Sequence, residues 1–482
     1  MTNSAHALTW HSRLAWLLPP AVLLTVFHPG LWTWFHTDDF SLLWLVTLSG
    51  DEFWVRLLEP RAQGTYRPLS ERLFFYLLYQ EFGWNAFPYR LVVFATQIVN
   101  LWLLTALLRR LGASLWVGAA AAALWATHIG LAAPMGWTSA YNQVLCAFFL
   151  LAALLSFVRF ADGGKLRWYL LQWALFLVGF GALETIAIYP AIALAYCILF
   201  KRNRWLWPLP MFLASGAMVW LQLSFAKSGG GEVYRISTAP LELIDSLLYF
   251  IGLGIGGSLG LTIGWLLGVV LFAAALWLWR RGEPSAMFGW AWFVISLGPY
   301  LPLVEHRSDY YLAIPAAGLA TALAVTAAAA WRAGVVPRIA AVAVLGAFLW
   351  GGITVSLISI EYNWRVGIRA RNLVTGLAHV RAEHPGKTIL LTGVDDELFY
   401  TALYHDLLQI SHLYEVYLAP DAHSVAARPG HRPPDRFILE PEDVRLEIAR
   451  DQIVVYDATG FRLREVTNRY KKLAPLRLSR AQ

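Results

Sequence analysis

The sequence predicts an all-α, polytopic membrane domain over residues 1–360 and a small α/β domain over residues 361–482. Three observations lead there. Of 482 residues, 58% are hydrophobic and only 14% charged, against about 25% charged in an average soluble domain. One water-soluble core does not hide that much apolar surface. Apolar runs near the length that crosses a bilayer, about 20 residues, recur from Leu14 to Ile360, joined by short loops of alternating charge. From Glu361 the composition becomes that of an ordinary soluble chain, long enough for one small domain. The 24 Trp suit a membrane–water interface, where the ring is apolar and its N–H is wet.

The first element, Leu14–Trp34, follows Arg13 and is read as an uncleaved spanning helix, because His-Pro-Gly and aromatics follow it where small residues would mark cleavage. Pro19-Pro20 should kink it. The first outer loop, Phe35 to Pro88, carries two amphipathic stretches, Ser41–Leu58 and Leu69–Phe82, broken by Tyr66-Arg67-Pro68. They read as helices lying in the interface. Further spans are Tyr89–Leu108, Ser114–Thr127, Ala140–Phe157, Trp168–Leu183, Thr185–Phe200, Trp205–Phe225, Leu261–Trp279, Ala286–Leu303, Tyr310–Ala330 and Ile339–Ile360. That makes about eleven crossings.

Loop charge sets the expected orientation. Arg13, Arg109-Arg110, Arg159/Lys165/Arg167, Lys201-Arg202/Arg204, Arg280-Arg281 and Arg332/Arg338 form one set. Asp38-Asp39, Glu184, Glu232, Glu305 and Asp309 form the other. The positive-inside rule puts the basic set in the cytoplasm, with the N-terminus inside and the C-terminus outside. Trp168–Phe200 is read as a hairpin, because a single helix would bury Glu184 at mid-bilayer at a cost of roughly 2.5–3.5 kcal/mol. The glycine-rich stretch Leu243–Gly260 is read as an interfacial or re-entrant segment on the outer side. The basic residues sit in loops between apolar runs, which excludes a nucleic-acid groove despite the charge of +7. Cys146 and Cys197 fall near opposite ends of membrane helices, so no disulfide is expected.

In the C-terminal domain Thr388–Thr392 is a strand, Glu397–Ile410 has helical spacing, and Gln452–Asp457 with Phe461–Thr467 flank Ala-Thr-Gly as a β-hairpin. Pro429–Pro434 is a loop. The basic tail holds Arg469, Lys471, Lys472, Arg477 and Arg480.

The chemistry-bearing residues gather in the predicted outer loops. Asp38 and Asp39 directly follow the first span. They suit either the N-terminus of a helix, which acids cap and complement, or a base at the membrane surface, with Mg²⁺ or Mn²⁺ as a further use for adjacent carboxylates. Arg67 is an anchor to lipid headgroups or a bidentate clamp on phosphate. His128 ends a helix, and Trp137 in the next outer turn is an interface aromatic or a platform for a sugar. Glu184 tips its hairpin as a solvated turn residue or as a polar contact to sugar or acceptor. Glu305-His306-Arg307-Ser308-Asp309-Tyr310-Tyr311 is a short polar turn in which Arg307 and His306 would meet charge developing on a phosphate leaving group.

The order of these pieces resembles the GT-C fold glycosyltransferases, in particular the protein O-mannosyltransferase-like and bacterial polyprenyl-phosphate-sugar branch. The resemblance runs from about Leu14 to Ala330. It rests on the acidic pair, on Tyr66-Arg67-Pro68-Leu69-Ser70, on Phe82-Gly83-Trp84-Asn85-Ala86-Phe87-Pro88-Tyr89-Arg90, and on Arg307-Ser308-Asp309-Tyr310-Tyr311-Leu312 with Pro315. His128 with Trp137 and Glu184 with Pro190 are similar to two further motifs. The chain departs from the branch at Arg90, Ile129 and Leu183, where His, Pro and Lys are usual. The resemblance implies inverting transfer of a sugar from a polyprenyl-phosphate carrier to a protein, glycolipid or cell-envelope acceptor at the outer face of a bacterial inner membrane. It implies a catalytic Asp38 or Asp39, phosphate contacts from Arg307, Arg67 and His306, and sugar or acceptor contacts from Glu184, His128, Trp137 and Tyr310. Some members use a divalent metal. The competing classes are a transporter or flippase of a lipid-linked glycan, which would hold ionisable groups near the bilayer midplane, and a non-enzymatic membrane scaffold.

Overall fold

The computed structural model describes residues 10–49, 53–58, 66–225, 235–405, 407–420 and 435–478. Glu232, Pro429–Pro434 and Arg480 lie outside them. In chain order the helices are α1 (Trp10–Phe27), α2 (Asp38–Ser49), α3 (Phe53–Arg56), α4 (Phe74–Phe82), α5 (Ala86–Arg110), α6 (Leu115–Ala126), α7 (Ala132–Gly136), α8 (Tyr141–Gly163), α9 (Leu166–Gly179) and α10 (Tyr189–Phe200). Then come α11 (Leu209–Phe225), α12 (Pro240–Gly256), α13 (Leu261–Arg280), α14 (Ser285–Leu297), α15 (Pro315–Ala333) and α16 (Val335–Glu383). The remainder is β1 (Thr388–Thr392), α17 (Asp396–Thr401), α18 (Leu407–Ile410), β2 (Val416–Leu418), α19 (Pro441–Ala449), β3 (Ile453–Asp457), β4 (Arg464–Glu465) and α20 (Thr467–Leu478).

Among the described residues, seven helices are long and apolar enough to cross a membrane: Trp10–Trp32, Ala86–Arg110, Thr138–Gly163, Pro240–Leu259, Leu261–Arg280, Pro315–Ala333 and Val335–Glu383. The pair Leu115–Ala126 and Ile129–Gly136, bent by 63°, makes an eighth if it is one span. Glu184–Phe200, Leu209–Gln222 and Ser285–Leu297 are shorter apolar helices. The chain is a multi-pass membrane protein. By length alone the count falls short of the eleven expected, because α9 and the helices Glu184–Phe200, Leu209–Gln222 and Ser285–Leu297 are shorter than a full crossing.

The stretch expected to be an interfacial or re-entrant segment forms the helix α12, which with the turn that follows is long and apolar enough to cross a membrane. Its glycines serve close packing rather than chain breaking. A Cβ on Gly264 of α13 would stand 2.0 Å from the Gly252 carbonyl oxygen. Gly252 meets Leu261, Gly256 meets Gly264, and Gly268 meets both Ile251 and Ile255. The Trp265 indole donates to the Leu248 carbonyl (2.6 Å). Gly252 and Gly256 meet Gly264, and Ile251 and Ile255 meet Gly268, the chain sense of two adjacent antiparallel helices.

The chain forms two compact units. The first comprises Met1–Leu31, Trp54–Phe74 and Pro88–Glu361. The second comprises Trp32–Phe53, Phe75–Phe87 and Tyr362–Gln482. The shift to soluble composition at Glu361 falls inside α16. Helix propensity does not change there, since Arg, Ala and Leu are good helix formers on either side of a polarity change.

The second unit contains a four-stranded sheet in the order β2-β1-β3-β4. Strand β1 pairs in parallel with β2 and β3, and β4 pairs antiparallel with β3. Strand β1 has the predicted bounds, and β3 with β4 is the predicted hairpin. Leu390, Ala419, Val444, Ile453, Val455 and Tyr470 form its core. In the same unit Trp34 stacks on Trp84 at 5.9 Å and donates to the Trp84 carbonyl (3.1 Å).

Candidate active site

In the second unit the acidic pair opens α2, where the helix N-terminus favours negative charge. The two carboxylates have different positions. Asp39 is fully buried, and its Oδ2 accepts the backbone N–H of His36 (3.1 Å). Its own N–H donates to the His36 carbonyl (3.2 Å), so Asp39 closes the turn into the helix. The Asp38 side chain is 49% exposed, with Oδ1 3.3 Å from His405 Nδ1. Ser41 Oγ lies 3.5 Å from the same nitrogen. Thr37, just ahead of Asp38, holds φ at +55°, a conformation that strains a β-branched residue by roughly 1–3 kcal/mol. Its N–H donates to the Thr401 carbonyl (2.6 Å).

This geometry does not suit a divalent ion held by both acids. Asp39 is turned inward onto backbone, and no group of three His, Cys, Asp or Glu able to hold a metal occurs among the described residues.

In the first unit a π-helical turn, Pro68–Leu73, positions Arg67. The wide turn lets the N–H groups of Leu69 (2.8 Å) and Ser70 (3.4 Å) both reach the Gly181 carbonyl. Ser70 Oγ donates to the Ala182 carbonyl (2.7 Å). Arg67 is thereby brought to Glu184 and donates from Nε (2.8 Å) and Nη2 (2.6 Å) to its two carboxylate oxygens. Nη1 donates to Glu71 (2.8 Å). The expected phosphate clamp is instead held by two carboxylates, and the trio carries a net negative charge that disfavours an anion. Burial pushes the Glu184 carboxyl up, but the Arg67 charge and hydrogen bonds outweigh it and hold it below the usual carboxylate range.

The polar turn 305–311 of the same unit is fixed from behind. The Trp125 indole donates to the Ala313 carbonyl (2.8 Å) and Trp292 to that of Ile314 (3.1 Å). Gly130 allows the backbone of Leu312 and Ala313 to pass where a Cβ would stand 2.6 Å from the Leu312 carbonyl carbon. Tyr311 stacks on Tyr300 at 4.1 Å, and the Tyr300 hydroxyl bonds Thr185 (2.7 Å), the residue after Glu184. Tyr310 packs edge-on against Trp137 at 6.2 Å, and its hydroxyl lies 3.5 Å from His306 Nε2. A chain of contacts therefore links Trp137, Tyr310, His306, Tyr311, Tyr300, Thr185 and Glu184.

Arg307 donates to Asp245 (2.7 Å) and lies 5.4 Å over the Tyr249 ring. Its Nε is buried without a partner among the described residues. Burial lowers the His306 imidazole below its ordinary value, so near neutral pH it acts as a neutral hydrogen-bonding group and not as the expected cation. Burial also pushes the Asp309 carboxyl up, against two backbone hydrogen bonds.

His128 is not placed for a sugar. It is buried, its Nδ1 accepts the Gly130 N–H (3.0 Å), and its Nε2 donates to the Gly254 carbonyl (2.8 Å). Both ring nitrogens are occupied by backbone, and the side chain ties the end of α6 to α12. Arg90, where a His is usual, is likewise buried and bonds the Gly30 (2.8 Å) and Pro134 (3.2 Å) carbonyls.

Sequence reasoning did not identify Glu71, Asp245, Tyr300, Thr401 or His405 as functional. Arg67 and Glu71 are four apart, but Arg67 lies ahead of the π-helical turn, so helical spacing alone did not signal the pair. Nothing local links His405 to Asp38.

The bent and short apolar helices, the long first loop and the small α/β region are arranged in the GT-C fold. The oligosaccharyltransferase of Archaeoglobus fulgidus, in its apo form, superposes with a TM-score of 0.51 at 11% identity, covering 84% of this chain and 64% of that one. ArnT from Cupriavidus metallidurans, solved bound to undecaprenyl phosphate, aligns over 95% of this chain and 94% of its own at 16% identity and a TM-score of 0.48. At such identities the likeness is one of fold. No protein family model matches the sequence, and no curated protein matches it.

Proposed function

We propose that the chain is an inverting glycosyltransferase that moves a monosaccharide from a polyprenyl-phosphate carrier to an acceptor hydroxyl at the outer face of a bacterial inner membrane. The observation that carries the reading is Asp38, a half-exposed carboxylate on the fixed first turn of the helix that follows the first span of a GT-C fold. Inverting transfer needs one base and no enzyme nucleophile. Asp38 accepts the acceptor's hydroxyl proton as that oxygen bonds the anomeric carbon. The anomeric carbon–phosphate oxygen bond breaks, and its electron pair leaves with the polyprenyl phosphate. Arg307, with a buried N–H not otherwise used, is the cation proposed to stabilise charge growing on that phosphate. Trp137, Tyr310 and the open side of Glu184 are proposed to contact sugar or acceptor. Outer-face chemistry rests on the alternation of loop charge. Residues 1–360 are proposed as the catalytic membrane domain and 361–482 as an extracytoplasmic domain.

The test supplies purified protein with radiolabelled monosaccharides on undecaprenyl phosphate and a cell-envelope acceptor fraction. Wild type should transfer label, and Asp38→Asn should lower the rate by about 10²–10⁴, whereas Asp39→Asn, which retains a capping side chain, should keep most of it. Equal rates for Asp38→Asn and wild type would end this reading.

A further inference from the structure

The segment Thr401–His405 belongs to the C-terminal region, for which the sequence suggested no role. Within the second unit it makes two attachments to the start of α2. The Thr401 carbonyl accepts the N–H of Thr37 (2.6 Å), which is the residue in the left-handed conformation. His405 places Nδ1 3.3 Å from Asp38 Oδ1 and 3.5 Å from Ser41 Oγ. Its side chain is only 16% exposed, with Tyr404 edge-on at 5.4 Å. Leu407 and Ile410 of α18, just beyond, are buried, and α18 packs on α2.

A carboxylate that only caps a helix needs no such partner, since the backbone supplies its donors. The carboxylate bond that ties the turn together is already made by Asp39, which accepts the His36 N–H. A base needs more. One oxygen must face the proton, and rotation about the Cα–Cβ and Cβ–Cγ bonds must be restricted so that it stays there. An imidazole N–H directed at the other oxygen supplies this restraint, as second-layer partners do for metal ligands and catalytic histidines.

We propose that His405 is a positioning residue for Asp38: its Nδ1–H holds Oδ1, leaving the second carboxylate oxygen to take the acceptor proton. The C-terminal segment thus supplies part of the catalytic apparatus. The inference rests on the reading of Asp38 as the base.

Two measurements on the full-length protein test it. In the transfer assay with the undecaprenyl-phosphate monosaccharide that wild type uses best, His405→Ala should lower kcat about tenfold or more while KM for the donor changes less than about twofold. His405→Asn, whose amide N–H occupies nearly the place of Nδ1, should recover most of the loss. The double variant Asp38→Asn/His405→Ala should be no slower than Asp38→Asn alone. If Asp38→Asn abolishes transfer while His405→Ala matches wild type, the positioning role is overturned and the proposed function stands. If Asp38→Asn transfers like wild type, the proposed function itself fails. The second measurement does not depend on activity. In protein labelled with ¹⁵N-histidine, the imidazole resonance that His405→Asn removes should shift in Asp38→Asn, and an unchanged resonance would overturn the pairing.

Discussion

Asp38 and Asp39 are neighbours in sequence with opposite positions in the fold. From sequence, both helix-capping and base readings applied to the pair as a whole. The structure divides them, with Asp39 buried on backbone and Asp38 half-exposed beside His405. The register of a turn, with Thr37 at φ +55°, decides which acid points inward, and no pattern in the residues themselves encodes that sign. Arg67 illustrates the converse. Its phosphate reading arose because an Arg beside a Pro in an outer loop looked free, yet Glu71 and Glu184 hold it. Arg67→Ala should destabilise the protein by about 3 kcal/mol, the lower end for breaking a buried pair, because the Glu184 side chain is 37% exposed. Thermal unfolding in detergent measures this. The same contact has a pH signature. The folded-state pKa of Glu184 lies below its unfolded value, so its contribution is present above about pH 4.3 and is lost as pH falls through the folded value. Wild type should therefore lose Tm more steeply than Glu184→Gln on acidification below about pH 4.5, and parallel profiles would contradict the assignment.

Among elements, those with simple periodicity were legible. Strand β1 was read from Thr388–Thr392, a β-branched and aliphatic run too short for a helix, and the β3–β4 hairpin from two short segments divided by Ala-Thr-Gly. The stretch Leu243–Gly260, apolar but holding five glycines, was read as interfacial or re-entrant, because counting it as a span would invert the orientation of every loop after it. Tertiary packing overrides propensity there: Gly252, Gly256 and Gly264 permit near backbone contact, a use of small residues common where helices cross in membranes. Gly264→Ala forces a methyl against the Gly252 carbonyl and should cost about 2–3 kcal/mol through overpacking. Gly346→Ala in α16, whose Cβ would meet nothing within 4 Å, should be neutral or slightly stabilising. Melting curves of the two variants side by side distinguish packing from a general intolerance of helix glycine substitution.

For the whole molecule, hydropathy read the class well, because apolar length and loop charge are properties of local composition. What it could not read was membership. Residues of the first loop, Trp32–Phe53 and Phe75–Phe87, cluster with Tyr362–Gln482, a grouping made by contacts such as Thr37 with Thr401 and Trp34 with the backbone around Gly367. Ser41 and His405 stand 364 positions apart, and one sequence without relatives carries no signal over that span. The motifs in the predicted outer loops were visible, but their partners were not.

That discontinuous unit has a consequence for biogenesis. Helix α2 is synthesised early, yet the residues that hold its first turn arrive only after roughly 350 more have been added, about 18–70 s later at ordinary elongation rates. Throughout that interval Leu42, Leu43 and Val46, buried in the finished fold, have no native cover from the later segment. Nascent chains stalled before Thr401 should be cut by protease near the Asp38 turn, and chains released after the last strand should resist. Maturation of the acidic turn thus waits for the last quarter of the chain, and a ribosome that terminates early leaves Thr37 and Asp38 without Thr401 and His405.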